Sequence, residues 1–261
     1  MKKLNYRVEM YVKDKDDFIP LCDNIGTYDL ELGDKSPIKD LLDTNLFRTN
    51  TTKAKKLFAE TNALHNDGEI YTEKAYILIG IYKGQTSKTP NTLYSMMNRM
   101  RPILINAYFE NREELQKFGF NVVQGKTGYN VSLPNRSPYK VLKAVEKCIA
   151  RHKELDKDSP LVNFDMKTFE KYGKEADGYI TYSNKYHDDA ESVSERLNDL
   201  LGFAKDQTIR TPNTMYYNVA RIRDLLLVLY YGQEKQIEDW GFKIIISTSK
   251  KKKEENKEEN S

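Results

Sequence analysis

The sequence is poor in the residues from which most metal and redox sites are built. It has two cysteines, three histidines and one tryptophan among 261 residues. Cys22 and Cys148 are too few for a disulfide framework, and the chain lacks the ligands of a zinc site of the Cys/His type. We therefore expect two free, buried thiols, no bound metal and no cofactor.

Long apolar runs and a strong charge of one sign are also missing. No stretch approaches the roughly 18 apolar residues of a membrane-spanning helix, and the basic start at Met1 leads into alternating residues instead of the apolar segment of a signal peptide. The 42 basic and 39 acidic residues leave a net charge of +3, which does not imply a nucleic-acid partner. We expect no membrane partner and a cytoplasmic protein, or a virion protein if a phage encodes it.

Motifs of catalysis are absent as well. The chain has no Gly-x-Ser-x-Gly, no His-Glu-x-x-His and no glycine-rich phosphate-binding loop. Its 39 acidic residues include no carboxylate pair that the pattern singles out. We therefore expect a protein that is not an enzyme.

What the chain does contain is an internal repeat. It has the phrase QTSKTPNTLY at residues 85–94 and QTIRTPNTMY at 207–216, which are identical at seven of ten positions and 122 residues apart. The same offset aligns residues 54–123 with the second half of the chain without a gap. A match of this length predicts an internal duplication. We place repeat 1 at 3–124, repeat 2 at 125–248, and a disordered charged tail at 249–261.

Each repeat has apolar residues at helical spacing. In repeat 1 they form stripes at 57–64, 75–82 and 93–107. A further helix is expected in repeat 2 at 137–155, with a shorter partner in repeat 1 near 16–24. Alternating or β-branched residues at 6–12 and 242–248 predict terminal strands that pair with each other, and 120–133 predicts a hairpin around Gly125 and Gly128. The predicted fold is mainly α: a tandem duplication of a roughly four-helix bundle with short flanking strands and a hairpin.

The repeated phrase has two interpretations. In the first, Thr89 is the N-cap and Pro90 the first residue of a helix, and Thr211 and Pro212 do the same in repeat 2. In the second, the helix start and its polar side chains bind an anion or a partner. Capping does not explain why Gln and Thr precede the cap in both repeats. The candidate binding loops therefore comprise Lys83, Gln85, Thr86, Lys88, Thr89, Asn91, Lys205, Gln207, Thr208, Arg210, Thr211 and Asn213.

A second repeated pattern is Asn-x-x-His-x-Asp, at 62–67 and 184–189. Its three polar groups could approach a metal, but no second carboxylate accompanies them at ligand spacing. We interpret the pattern as a helix end, where the histidine complements the helix dipole and the aspartate caps the next helix.

Glycines and arginines also recur in both repeats. Gly80 and Gly202 fall inside a helical pattern, where a close approach of two helices is the simplest explanation. The last helix of each repeat carries two arginines, which would serve a nucleic-acid partner: Arg99, Arg101, Arg221 and Arg223.

Both repeats end in a helix, a glycine stop and a strand, in the segments ELQKFGFNVV and QIEDWGFKII. This ending resembles that of uncharacterised helical-bundle proteins of bacteria and phages; the resemblance covers about ten residues per repeat and implies no site. With the duplication, it favours a non-enzymatic structural or interaction protein with protein partners, such as itself or a phage virion assembly. The alternative is a nucleic-acid-associated protein that uses the repeated basic loop and the arginines.

Overall fold

A computed structural model describes residues 5–9, 14–126 and 128–247, so the predicted disordered tail lies outside the described residues. The protein is mainly helical, as predicted. Its helices and strands, in chain order, are β1 (Asn5–Glu9), α1 (Lys15–Leu32), α2 (Thr44–Ile79), α3 (Leu93–Ala107), β2 (Asn121–Gly125), β3 (Gly128–Ser132), α4 (Pro138–Leu155), α5 (Met166–Leu201), α6 (Met215–Leu229) and β4 (Lys243–Ser247).

The α-helices recur in the same order and with the same lengths. Helices α1 and α4 have 18 residues, α2 and α5 have 36, and α3 and α6 have 15. The prediction of about four helices per repeat is therefore wrong, because the stripes at 57–64 and 75–82 belong to one helix. The helix end predicted at His65 is wrong for the same reason, and the segment near 16–24 forms a full helix, α1. The duplication itself stays an inference from the sequence.

The four strands of the described residues form two antiparallel pairs. Strand β1 pairs with β4, with Glu9 opposite Lys243, which confirms the expected pairing of the terminal strands. Strand β2 pairs with β3 through the predicted hairpin, with Gly125 opposite Gly128.

The chain divides into two compact units that do not coincide with the two repeats. Unit 1 comprises Met1–Asn62 and Glu191–Ser261, and unit 2 comprises Ala63–Ala190. Helices α2 and α5 each contribute one part to each unit. Each compact unit therefore contains segments of both repeats, whereas each repeat is one continuous stretch of the sequence.

Each unit has its own apolar core. In unit 1, the ring of Phe18 lies 5.0 Å from that of Phe203 and 5.8 Å from that of Tyr216, measured between centroids. In unit 2, buried residues of α3 and α4 belong to one cluster, and the Cys148 Sγ lies 3.7 Å from the Met100 Sδ. Both cysteines are free and fully buried, as predicted.

Candidate functional site

The repeated loop begins at the C-terminal end of the long helix α2. Gly80 ends α2 with a φ of +92°, and its N–H and that of Ile81 both donate to the Tyr76 carbonyl. The Gln85 side chain completes this end, because its Nε2 donates to the Ile77 carbonyl at 3.2 Å and its Oε1 accepts from the Tyr82 N–H at 2.9 Å.

The α5 end repeats this arrangement in unit 1. The Gln207 Nε2 donates to the Asp199 carbonyl at 3.4 Å, and its Oε1 accepts from the Ala204 N–H at 3.3 Å. The glutamine of the repeated phrase therefore caps the helix that precedes it. Sequence reasoning missed this role, because it placed Gly80 and Gly202 inside a helix and not at its end.

The threonines of the phrase hold the loop in shape. Thr89 Oγ1 accepts from the Thr86 N–H at 2.9 Å, and Thr86 Oγ1 accepts from the Lys88 N–H at 3.2 Å. In repeat 2, Thr211 Oγ1 accepts from the Thr208 N–H at 2.8 Å, and Thr208 Oγ1 accepts from the Arg210 N–H at 3.2 Å. These bonds explain why the first threonine recurs.

The predicted N-caps Thr89 and Thr211 are wrong by three residues. Helix α3 begins at Leu93, and its N-cap is Thr92, whose Oγ1 accepts from the Ser95 N–H at 3.2 Å. Asn91 takes a left-handed φ of +56°, so a helix cannot begin at Pro90 and continue through it. The same arrangement recurs in repeat 2, with Asn213 at a φ of +63° and Thr214 as the cap of α6.

An arginine outside the phrase ties the loop of unit 2 to the chain before α4. Arg136 Nη2 donates to the Gly80 carbonyl at 2.8 Å and to the Gln85 carbonyl at 2.7 Å, and its guanidinium lies 5.9 Å from the centroid of the Tyr94 ring. Hydrogen bonds within the protein thus account for the glutamine and the threonines of the repeated loop. Binding by its exposed side chains stays a prediction for Lys83, Lys88, Asn91, Lys205, Arg210 and Asn213.

The arginines of α3 and α6 are divided between the units. The Arg99 guanidinium lies 5.5 Å from the Phe164 ring centroid in unit 2, and that of Arg221 lies 5.5 Å from the Tyr217 ring centroid in unit 1. Arg223 pairs with Asp224 at 2.6 Å. Three of the four arginines thus contact a ring or a carboxylate of their own unit.

A cleft of about 660 Å³ opens in unit 2 between α4 and the β2–β3 hairpin. Lys140, Lys143 and Lys147 lie along the α4 wall, on the exposed face of a helix whose other face is buried. Among the described residues that line it, none is acidic. The lining comprises Gln116, Gly119, Phe120, Asn121, Val122, Val123, Ser132, Pro134, Asn135, Lys140, Lys143, Ala144 and Lys147.

These lysines have no basic counterparts in the other repeat. Helices α1 and α4 begin 123 residues apart, at Lys15 and Pro138, so the positions of α1 that align with these lysines are Asp17, Pro20 and Asn24. Three positive charges in unit 2 thus correspond to one negative charge in unit 1. Sequence reasoning missed the cleft, because exposed lysines on a helix are also typical of a solvated face; the difference between the repeats was the available signal.

The histidine pattern does not end a helix. His65 lies within α2 and His187 within α5, and their ring centroids are 5.7 Å apart. Across the described residues, no group of three or more histidine, cysteine or acidic side chains could hold a metal ion.

Comparisons with known proteins give no further guide. The chain matches no family model, no curated protein and no solved structure. In the part of the chain that the structure describes, no helix has the length and apolar character needed to cross a membrane.

Proposed function

We propose that the protein is a non-enzymatic interaction protein and that the cleft of unit 2 binds an acidic segment of a partner protein. The observation that carries this proposal is the row Lys140, Lys143 and Lys147 in a cleft whose described lining has no acidic residue. A carboxylate-rich segment would meet three exposed ammonium groups there, with no acidic residue in the described lining to compete for them. A further role in a larger assembly such as a phage virion stays a prediction.

The cleft fits a peptide better than a nucleic acid. Its volume of about 660 Å³ lies in the range of protein ligand sites, which is roughly 300–1,000 Å³. The described lining has no arginine for bidentate phosphate contacts, and its one aromatic residue, Phe120, is buried and cannot stack on a base. The Gln116 and Asn121 side-chain nitrogens already donate to the Val122 and Leu133 carbonyls. Their amide oxygens, and the amide of Asn135, remain to bond with a peptide backbone.

The composition of the lining also favours binding over catalysis. The described residues of the cleft include no histidine, cysteine or carboxylate to act as a general acid or base. We therefore propose a recognition site in which the lysines supply attraction and the amides supply orientation.

The proposal is tested by titrating the full chain into a fluorescein-labelled hexaglutamate peptide and following fluorescence anisotropy. We expect saturable binding at about 50 mM salt that weakens at about 200 mM, because salt screens exposed charges. The triple substitution Lys140→Gln, Lys143→Gln and Lys147→Gln should weaken binding about tenfold, since each exposed ion pair contributes about 0.2–1 kcal/mol.

A control with the same change of net charge separates the cleft from general attraction. Lys167, Lys171 and Lys185 are exposed on α5 of the same unit, and their replacement by Gln should change the affinity less than about twofold. Equal losses in both triple variants, or no binding at low salt, would refute the cleft as the site. Tighter binding of a single-stranded oligonucleotide of equal charge would favour the nucleic-acid alternative.

A further inference from the structure

The two repeats bring their equivalent histidines together in unit 2. His65 on α2 and His187 on α5 are 122 residues apart, which is the offset of the repeat. Their ring centroids lie 5.7 Å apart, and their ring planes are inclined by 46°. Each copy of the sequence pattern supplies only one imidazole, so neither copy alone predicts a pair.

We propose that His65 and His187 bind one divalent transition-metal ion of the kind that prefers imidazole, such as Cu²⁺ or Zn²⁺. Metal–nitrogen distances of about 2.0–2.1 Å place the centres of two imidazoles on one ion about 5–6 Å apart. The observed centroid distance of 5.7 Å meets this requirement.

The packing around His187 supports the pairing. A Cβ on Gly68 would lie 2.9 Å from the His187 Cε1, closer than real Cβ atoms come, and 3.0 Å from its Nε2. Glycine in a helix interior costs about 1 kcal/mol relative to alanine, and the aligned residue of repeat 2 is Ala190. The glycine thus makes room for the His187 ring, and it lies on the same face of α2 as His65, one turn later.

Two further contacts hold α2 against α5 near the pair. The hydroxyls of Thr72 and Ser183 are 2.6 Å apart, and the Tyr71 ring stacks on that of Tyr186 with centroids 5.6 Å apart and an angle of 12°. The two imidazoles therefore project from helices whose separation is fixed by packing that does not involve them.

The protein supplies two ligands, and water completes the coordination. Asp67 lies two residues after His65, which rotates it about 200° around the helix axis and away from the pair. Asp189 has the same relation to His187. Because His65 is exposed, an ion reaches the pair directly from solvent. Bound metal would join α2 to α5 and stabilise the folded chain by mass action.

The test is a titration of the full chain with Cu²⁺, followed by calorimetry and by electron paramagnetic resonance of the bound ion. We expect one equivalent to bind with nitrogen ligands from two imidazoles. His65→Ala and His187→Ala should each lower the affinity about tenfold or more. The double variant should bind no more weakly than either single variant, because chelation needs both rings.

Two further variants make the result specific. His152→Ala removes the third histidine, whose Nδ1 is bonded to the Ser159 hydroxyl at 2.7 Å, and should leave the Cu²⁺ affinity unchanged. Gly68→Ala keeps both imidazoles but displaces the His187 ring, and should weaken binding. Wild-type affinity in either single histidine variant, or an equal loss in His152→Ala, would overturn the proposal; circular dichroism checks that each variant is folded.

Discussion

The Thr92 hydroxyl oxygen lies 2.6 Å from the point that a Cβ on Gly80 would occupy, and Thr214 has the same relation to Gly202 at 2.7 Å. The N-cap of each 15-residue helix is thus built directly against the C-terminal end of the preceding 36-residue helix. The predicted close approach at these glycines is present, but it occurs at a helix end and not inside a helix.

Replacement of Gly80 by alanine should be strongly destabilising. The left-handed φ of +92° costs a non-glycine residue about 1–2 kcal/mol, and the clash with Thr92 adds about 1–3 kcal/mol. We expect a loss of about 2–5 kcal/mol in the free energy of unfolding, measured by urea titration. Gly84 is the matched control, with a φ of +86° and no atom within 4 Å of the point that its Cβ would occupy, so Gly84→Ala should show the backbone cost alone. Equal losses would disprove the steric contribution.

Removal of the Thr92 hydroxyl should destabilise the N-terminus of α3. Thr92→Ala leaves the Ser95 N–H without its cap and should lower the free energy of unfolding by about 1–2 kcal/mol. Thr92→Ser keeps the hydroxyl and should retain most of the stability. Thermal unfolding of the two variants provides the measurement. A greater loss in Thr89→Ala than in Thr92→Ala would return the cap to Thr89.

The mainly α class followed from apolar residues at helical spacing, and the hairpin and the terminal strands followed from alternation, β-branched residues and glycine positions. The length of α2 did not. Polar residues and a glycine between its two apolar stripes resembled a helix end, but two of these residues face α5: Gly68 makes room for a ring, and Thr72 meets the Ser183 hydroxyl. Hydropathy does not detect a polar residue whose partner lies on another helix.

The cleft and the position of the helix cap were not predicted from the sequence for a similar reason. Lys140 becomes part of a cleft only because β2 lies beside α4, which is a tertiary relationship. The cap was misplaced because Pro90 suits both a turn and the first residue of a helix, and the left-handed Asn91 decides between them. Asparagine tolerates that conformation well, so this signal was present in the sequence.

The buried thiols should make the protein less stable in alkali. Burial raises the pKa of Cys148 from 9.0 to about 12 and that of Cys22 well above its ordinary value. Between about pH 9 and 12 the unfolded chain therefore releases thiol protons that the folded chain keeps, and stability falls as the pH rises, by at most about 1.4 kcal/mol per pH unit and thiol. Urea titrations at pH 7, 9 and 10 measure this slope. Cys148→Ala should flatten it, and an unchanged slope would contradict the assignment.

A fragment of residues 1–124 should not fold as a monomer, although the sequence marks it as one repeat. The fragment lacks Phe203 and Tyr216, whose rings cover Phe18 in unit 1, and it lacks α4, which belongs to the core of α3 in unit 2. A second copy of the fragment could supply the equivalent repeat-1 segments in their place, so any folded material should be dimeric. Circular dichroism and analytical ultracentrifugation of the fragment measure both properties, and addition of residues 125–261 should restore a cooperative thermal transition. A cooperatively folded monomer of 1–124 would show instead that each repeat is a self-contained domain, and that the compact units do not reflect how the chain folds.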